Sequence, residues 1–516
     1  MNSNERQSDS SCLPRWLILP CVLWLLVRLA YNGLRLLVPD EAYYWVWSRH
    51  PAMGYLDHPP MVAWVIRFGT LIFSDTEFGV RFGAAMITLG TILVTIRLTT
   101  TMSENAQGTS SPGFLSASKY AAAILLLCPM TAVLGTIITP DTPACFFNIC
   151  AIAAAIAATK DSPNAINANG KRIRSRYWLL FGIFMGLAML SKYTAVLIGF
   201  SVAAALLTSS HGRRQFASPW LWLSVIGSFA VFSPVLLWNH AHDWASFRFQ
   251  WHHGTSTDDD AQSPFINFPL YWLGQAAIYT PVLFVLGLAV LSQQWRAFAK
   301  MPTDDRILLF CATVPLLFFA IISLRHKPEA NWPIAGYFPM TIILARWIAS
   351  APHPSRAKPA RLGIAIAAAA MLIGHLPESI YLIPNRFLSN IPNPWEEMFG
   401  WRDYGQELDA ISLDPATGIH LPVFATSYEN AAEASFYMTG HPEVWTLNTD
   451  RPTAFDYFPN RPDLSSLGNV VCVTRLSATE DVPDALRGFK QMNIIHWQTT
   501  ALGRVVRRRQ LVVAQR

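Results

Sequence analysis

The chain has 516 residues, of which 52% are hydrophobic and only 14% charged, and its mean hydropathy is +0.28. Soluble domains are about a quarter charged, so this composition excludes an ordinary soluble enzyme and points to a polytopic membrane protein. The formal net charge of +6 is small for the length; it suits loop charges that set topology and argues against nucleic-acid binding.

Residues 15–38 form the first apolar run. The run is longer than a signal-peptide core and no small-residue cleavage site follows it, so it is expected to remain as a span. The first outer loop, 39–77, carries Asp40, Glu41, Asp57 and His58 among Tyr and Trp rings. Within it "MVAWVIRFGTLIFS" (61–74) is apolar but short and contains Arg67, which predicts a helix lying along the outer leaflet. Further spans are predicted at 79–100, 118–138, 142–159, 219–238, 268–291, 307–324, 333–350 and 362–383. The stretches 160–176, 211–215, 293–306 and 355–361 are rich in Lys and Arg and are expected in the cytoplasm. Segments 39–77, 139–143, 240–267 and 325–332, and everything after 384, then face outward.

Residues 177–210 lie between two basic stretches, so they must cross an even number of times. They are too few for two full crossings of about 20 residues each. The spacing predicts two short helices meeting at Ser191-Lys192-Tyr193, below the outer surface. Such a break must line a polar cavity or be buried in protein, and Lys192 needs an anionic partner. One long tilted helix with a snorkelling lysine is the alternative. The expected fold is a mainly α membrane protein with about eleven spans (~11–13), N-terminus inside and C-terminus outside.

From residue 385 the composition changes and no later run could span. "LPVFATS", "EVWTLN", "NVVCVTRL" and "RRRQLVVAQ" read as strands; "NAAEASFYMTG" and "PDALRGFKQM" read as helices. The predicted organisation is a transmembrane domain over 1–384 and a small extracytoplasmic α/β domain over 385–516. The C-terminal part has no Gly-rich phosphate loop and no GxSxG. The seven cysteines show neither metal nor disulfide spacing.

The polar oddities converge on the outer side. Beside the first loop they are Asp141 in "ITPDTP", Lys192 and Tyr193 at the break, Asn239, His240 and Arg248 in "WNHAHDWASFRFQ", and Arg325, His326, Lys327, Glu329, Asn331 and Trp332 in "LRHKPEANWP". Each has a structural reading. Asp40 and Glu41 suit the first turn of a helix. Asp141 suits a turn. Arg325-His326-Lys327 suits an interfacial anchor, although such anchors are usually cytoplasmic. The histidines near 240–253 lack compact metal-ligand spacing. Together, cations near lipid suit a phosphate and a facing carboxylate suits a base that deprotonates an acceptor. Sugar transfer from a lipid phosphate uses both, through an oxocarbenium-like transition state stabilised by placed charge.

The stretch Asp40-Glu41-Ala42-Tyr43-Tyr44, then "GYLDHPP", "TPD", "LSKY", "WNHAHDWASFRFQ" and "PEANWP", resembles the membrane-embedded C-type glycosyltransferases, the protein mannosyltransferase and lipid A aminoarabinose transferase-like superfamily. The resemblance covers roughly residues 15–350. It implies a polyprenyl-phosphate sugar donor, a lipid or glycan acceptor, and a site on the periplasmic side of the inner membrane. It implies Asp40, with Glu41 beside it, as the catalytic base. Donor-phosphate contacts fall on Lys192, His58, Arg248, Arg325, His326 and Lys327. Tyr44, Asp57, Asp141, Tyr193, Asn239, His240, Glu329, Asn331 and Trp332 are expected to bind substrate. His58 stands where aminoarabinose transferases carry lysine, which argues against a close aminoarabinose transferase. The resemblance implies no cofactor; a divalent metal is compatible with it but not required. Lipid A or lipopolysaccharide core is the expected acceptor, protein O-glycosylation the second reading. A lipid-linked-sugar flippase is the alternative from another class, since broken helices and membrane-depth charge also suit transporters.

Overall fold

The computed structural model describes residues 14–107, 112–160, 176–255, 264–327, 329–350, 354–376, 397–414, 417–447, 451–475, 486–501 and 504–515. Most of the basic stretch at 160–176, the polar loop at 256–263 and the expected boundary at 385 lie outside these residues.

Among the described residues six helices are long and apolar enough to cross a membrane: Arg15–Leu34 (α1), the Glu77–Glu104 portion of Glu77–Gln107 (α4), Asp141–Thr159 (α7), Pro219–Ala241 (α11), Thr303–Ile322 (α15), and the Ser355–Gly374 portion of Pro354–Gly374 (α17). At 1.5 Å per residue each reaches about 30 Å or close to it. Helix α4 carries a polar stripe that a span must satisfy internally. Thr91, Thr95, Thr99 and Ser103 each donate to the carbonyl four residues back, at 2.7–2.9 Å.

Between α1 and α4 run two shorter helices, Pro39–Arg49 (α2) and Met61–Phe73 (α3). α3 falls where the sequence predicts an outer-leaflet helix. Its buried side is Met61, Val62, Ala63, Ile66, Gly69 and Thr70, while Trp64, Phe68, Leu71 and Ile72 are exposed. A Cβ on Gly69 would lie 2.2 Å from the Gly79 carbonyl oxygen, so only glycine lets α3 and α4 meet there. The run predicted at 118–138 is instead two helices, Pro112–Leu127 (α5) and Pro129–Leu134 (α6), with Pro129 starting the second.

The segment at 177–210 is a hairpin. Tyr177–Ser191 (α8) ends where Lys192 turns extended, at φ −154° and ψ 134°. A single 3-10 turn, Tyr193–Ala195, then leads into Val196–Leu207 (α9). Trp178, at the start of α8, donates from its indole to Gln215 at 3.2 Å. Gln215 closes the short helix Ser210–Gln215 (α10), so the chain returns to the side it left. Gly182 on α8 abuts the backbone of Ser224 on α11, where a Cβ would meet the carbonyl oxygen at 2.4 Å. The predicted span at 268–291 is also broken. Pro264–Tyr279 (α13) and Pro281–Arg296 (α14) meet at 107°, and Thr280 between them has φ 68°. Counted as one span, this pair raises the long crossings to seven. Ala245–Thr255 (α12) precedes it, and Tyr337–Ala349 (α16) follows α15.

The C-terminal part holds a five-stranded mixed sheet of order β2-β1-β3-β5-β4. Its strands are Val423–Ala425 (β1), Trp445–Thr446 (β2), Asn469–Arg475 (β3), Gln491–Ala501 (β4) and Arg504–Gln515 (β5). β1 pairs parallel with β2 and β3; β5 pairs antiparallel with β3 and β4. Helices Trp401–Ser412 (α18) and Tyr428–Tyr437 (α19) pack on it. Gln491 and Met492, expected to end a helix, instead open β4. Alternation through "MNIIHWQTT" and eleven residue pairings with β5 outweigh the local helical signal. One apolar core joins this sheet to the first outer loop. It includes Tyr43, Trp45, Trp47 and Tyr55 together with Trp401, Phe424, Phe455 and Val471.

Candidate active site

The first turn of α2 sets the site. Pro39 occupies the first helical position, which places Asp40 and Glu41 in the turn where backbone N–H groups lack helical partners. Glu41 is fully buried. It accepts from the Val38 and Ile138 backbone N–H groups at 3.1 and 2.9 Å. Arg81 of α4, itself fully buried, donates to both its oxygens at 2.5–3.0 Å. Arg81 also donates to the Arg35 and Leu36 carbonyls, each at 2.7 Å, and to the Asn32 carbonyl at 3.4 Å. Asp40 differs. Its side chain opens to solvent and accepts from the Tyr428 hydroxyl at 3.4 Å. Protein encloses the recess on its other sides. This desolvation, with the negative charges of Glu397, Asp57 and Glu429, pushes the Asp40 carboxyl up to about 6.

Asp57 belongs to a second network. Its oxygens accept from the Tyr43 hydroxyl at 2.9 Å and from Arg451 at 2.7 Å, and its backbone carbonyl accepts from Gln250 at 2.5 Å. A third network lies at the helix break. Lys192 donates to both oxygens of Asp141, at 2.7 and 2.8 Å, and Asn331 donates to Asp141 at 2.6 Å. Lys192 and Asp141 are buried, so Lys192 has the anionic partner that its depth demands. Tyr193 pairs with the Ser246 hydroxyl at 2.7 Å, while Asn239 holds the α11–α12 corner by accepting from the Phe247 N–H at 3.2 Å. Tyr44 joins the networks. Its buried hydroxyl is raised well above the usual tyrosine range by burial, then by Asp40, Asp57, Tyr428 and Asp141. His58 lies edge-on to Tyr44, centroids 6.2 Å apart.

The remaining expected residues are exposed or partly buried. His240 is exposed, edge-on to Trp244 at 6.2 Å. Arg248, Arg325, Lys327 and Glu329 are exposed, and the three cations form no ion pair among the described residues. His326 is partly buried with an unpartnered Nε2, and Trp332 packs on Phe319 at 5.3 Å. Among the described residues no three His, Cys, Asp or Glu side chains cluster as a metal site. Sequence reasoning missed Arg81, Tyr428 and Arg451. An arginine inside the apolar run of α4 should have demanded a buried acid; nothing local flags the other two.

Residues 57–238, which include Asp57, His58, Asp141 and Lys192, match the family described as dolichyl-phosphate-mannose-protein mannosyltransferase. The chain is 25% identical over 413 residues to the lipid A galacturonosyltransferase RgtD of Rhizobium johnstonii, covering 78% of each chain. These matches support a membrane glycosyltransferase of the protein mannosyltransferase-like superfamily. This glycosyltransferase is also 25% identical over 347 residues to the undecaprenyl phosphate-alpha-4-amino-4-deoxy-L-arabinose arabinosyl transferase 2 of Proteus mirabilis, across 61% of this chain and 56% of that one. Its fold matches the crystal structure of ArnT from Cupriavidus metallidurans bound to undecaprenyl phosphate, with a TM-score of 0.63, 18% identity, and 96% and 98% of the two chains covered.

Proposed function

We propose that the enzyme moves one sugar from a polyprenyl-phosphate carrier to an extracytoplasmic lipid acceptor, lipid A or lipopolysaccharide core, with Asp40 as general base. One observation carries the base assignment. Of Asp40, Glu41, Asp57 and Asp141, the acids that the sequence singles out here, Glu41 is paired with Arg81, Asp57 with Arg451 and Asp141 with Lys192. Asp40 alone has no cation partner among the described residues and opens to solvent. A base needs an unengaged lone pair and an ionisation range near the working pH. The acceptor hydroxyl oxygen attacks the anomeric carbon, and its proton passes to Asp40. The anomeric carbon–oxygen bond breaks with its electron pair leaving on the polyprenyl phosphate. A phosphate leaves without a general acid. The exposed cations Arg248, Arg325 and Lys327, with His58, are the groups we assign to that phosphate. Lys192 would act through Asp141, with Tyr44, Tyr193, Asn239, His240, Asn331 and Trp332 lining the substrate path.

The acceptor reading draws support from the names of the relatives, and the donor carrier from the undecaprenyl phosphate bound in ArnT. We take the shorter apolar helices as the remaining crossings toward about eleven, with the site and the part after residue 384 in the periplasm. Protein mannosylation is the second reading, favoured by the family description. Mass spectrometry of lipid A and of periplasmic proteins, with and without the gene, separates the two. Loss of a hexose-class substituent from lipid A supports the proposal; unchanged lipid A with loss of protein-linked sugar overturns the acceptor assignment.

A further inference from the structure

Residues 451–458 lie between β2 and β3, far from the membrane helices in sequence, yet they reach into the site. The 3-10 turn Ala454–Tyr457 is braced by Thr453 and Asp456, whose carboxylate accepts from the Thr453 N–H at 2.8 Å. This turn and the adjoining Phe458 pack on α2 with His50 and on the end of α11. The Ala454 N–H donates to the Tyr43 hydroxyl at 2.6 Å, and Phe458 stacks on His50 at 4.4 Å. Tyr457 meets Trp238 and His242 at the end of α11, at 5.6 and 5.7 Å. At the head of this segment the Arg451 guanidinium lies near two rings, Phe249 at 5.1 Å and Tyr428 at 4.9 Å, and grips Asp57 at 2.7 Å. Rings of this kind hold a guanidinium in one orientation. A continuous chain of contacts runs from Asp40 through Tyr428 and Arg451 to Asp57 and Tyr43.

We propose that Arg451, delivered by the C-terminal part, is a positioning residue of the transfer reaction: it holds Asp57 and Tyr428 in place and offsets the Asp57 charge that faces Asp40. The proposal rests on Asp40 being the base for its consequence in catalysis, but its effect on Asp40 is readable without turnover. Asp40 faces three acids, Glu397 before α18, Asp57 in the first outer loop and Glu429 in α19, together with the Tyr428 and Tyr44 hydroxyls. Asp57 faces Tyr43 and Tyr44 of α2, Tyr193 at the helix break, Tyr428 and Arg451. Arg451 is therefore a cation by which the C-terminal part bears on this acidic group. Without it, the full Asp57 charge acts across a recess where charges are poorly screened.

The test uses the full-length purified protein and a water-soluble carbodiimide, whose addition to a carboxyl takes up one proton and therefore slows as that carboxyl ionises. Labelling of Asp40 is followed by mass spectrometry across pH. The wild-type midpoint is expected near 6. Arg451→Met should move it up by about half a pH unit or more, Arg451→Lys should stay near wild type, and Asp57→Asn should move it down. In the Asp57→Asn background, Arg451→Met should no longer shift it. An unmoved midpoint in Arg451→Met overturns the proposal, and so does a shift that persists without Asp57. If Arg451→Met does not fold, an Arg451→Lys midpoint displaced upward, or an Asp57→Asn midpoint that fails to fall, overturns it equally. Absence of transfer by wild-type protein to lipid A or lipopolysaccharide core from every member of a panel of polyprenyl-phosphate hexose, hexosamine, hexuronic acid and aminopentose donors would count against the proposed function and leave the labelling result standing.

Discussion

Asp40 and Glu41 leave the same helical turn for opposite environments: Glu41 accepts from Arg81 on both oxygens inside a fully buried pocket, while Asp40 accepts from the Tyr428 hydroxyl at 3.4 Å in an open recess. Removing one partner of a buried ion pair strands the other, at a cost of about 3–5 kcal/mol. Glu41→Gln is therefore expected to lower the thermal unfolding midpoint of the purified protein markedly. Asp40→Asn is expected to leave it at or slightly above wild type, because it removes a carboxylate that the fold holds unfavourably charged. Equal losses in the two variants would contradict this division.

The raised Asp40 carboxyl gives activity and stability opposite pH slopes. The base form is needed for transfer, so the rate should rise with pH through about 6 and then level. The folded carboxyl titrates above its ordinary value of 3.8. Its contribution to stability is thus fully present below that value and lost as pH rises through about 6. Transfer rates and unfolding midpoints measured over the same buffers should show the crossing slopes, and the stability slope should vanish in Asp40→Asn.

Lys192→Met leaves Asp141 buried with only Asn331 beside it. It should destabilise the protein by about 3–5 kcal/mol. The pair Lys192→Met with Asp141→Asn should recover at least half of that loss, since no uncompensated charge remains. A double variant as unstable as the single one would mean that the lysine's packing, and not its charge, holds the helix break.

The positive-inside pattern makes a topology prediction. Lys358 and Glu443 are both exposed, and Cys21, Cys128, Cys145, Cys150, Cys311 and Cys472 are buried. With Cys12 changed to Ser, a cysteine at 443 should react with a membrane-impermeant thiol reagent in spheroplasts. A cysteine at 358 should react only after permeabilisation. The reverse result would invert the site.

Much of the site was legible because membranes penalise charge. The two basic flanks and the short length of 177–210 pointed to a helix break, Lys192 at that break called for an acid, and Asp141 supplies it. The first-loop acids stood out for the same reason. Their division of labour did not, because Glu41's partner lies 40 residues away in α4. Tyr428 and Arg451 lie 388 and 394 residues from Asp40 and Asp57, and no local pattern reports pairing over such separations. In the sheet, β1, β2, β3 and β5 follow apolar runs that the sequence displays, whereas the start of β4 reads as helix until its pairing with β5 is seen. Span boundaries failed where proline breaks a run, at Pro129 and Pro281.

The most direct test of the account is transfer by Asp40→Asn, assayed with polyprenyl-phosphate galacturonic acid and lipid A beside a wild type that is active on them. The account predicts that transfer falls by about 100-fold or more while the unfolding midpoint holds. Transfer within about threefold of wild type would contradict it and move the base to another residue.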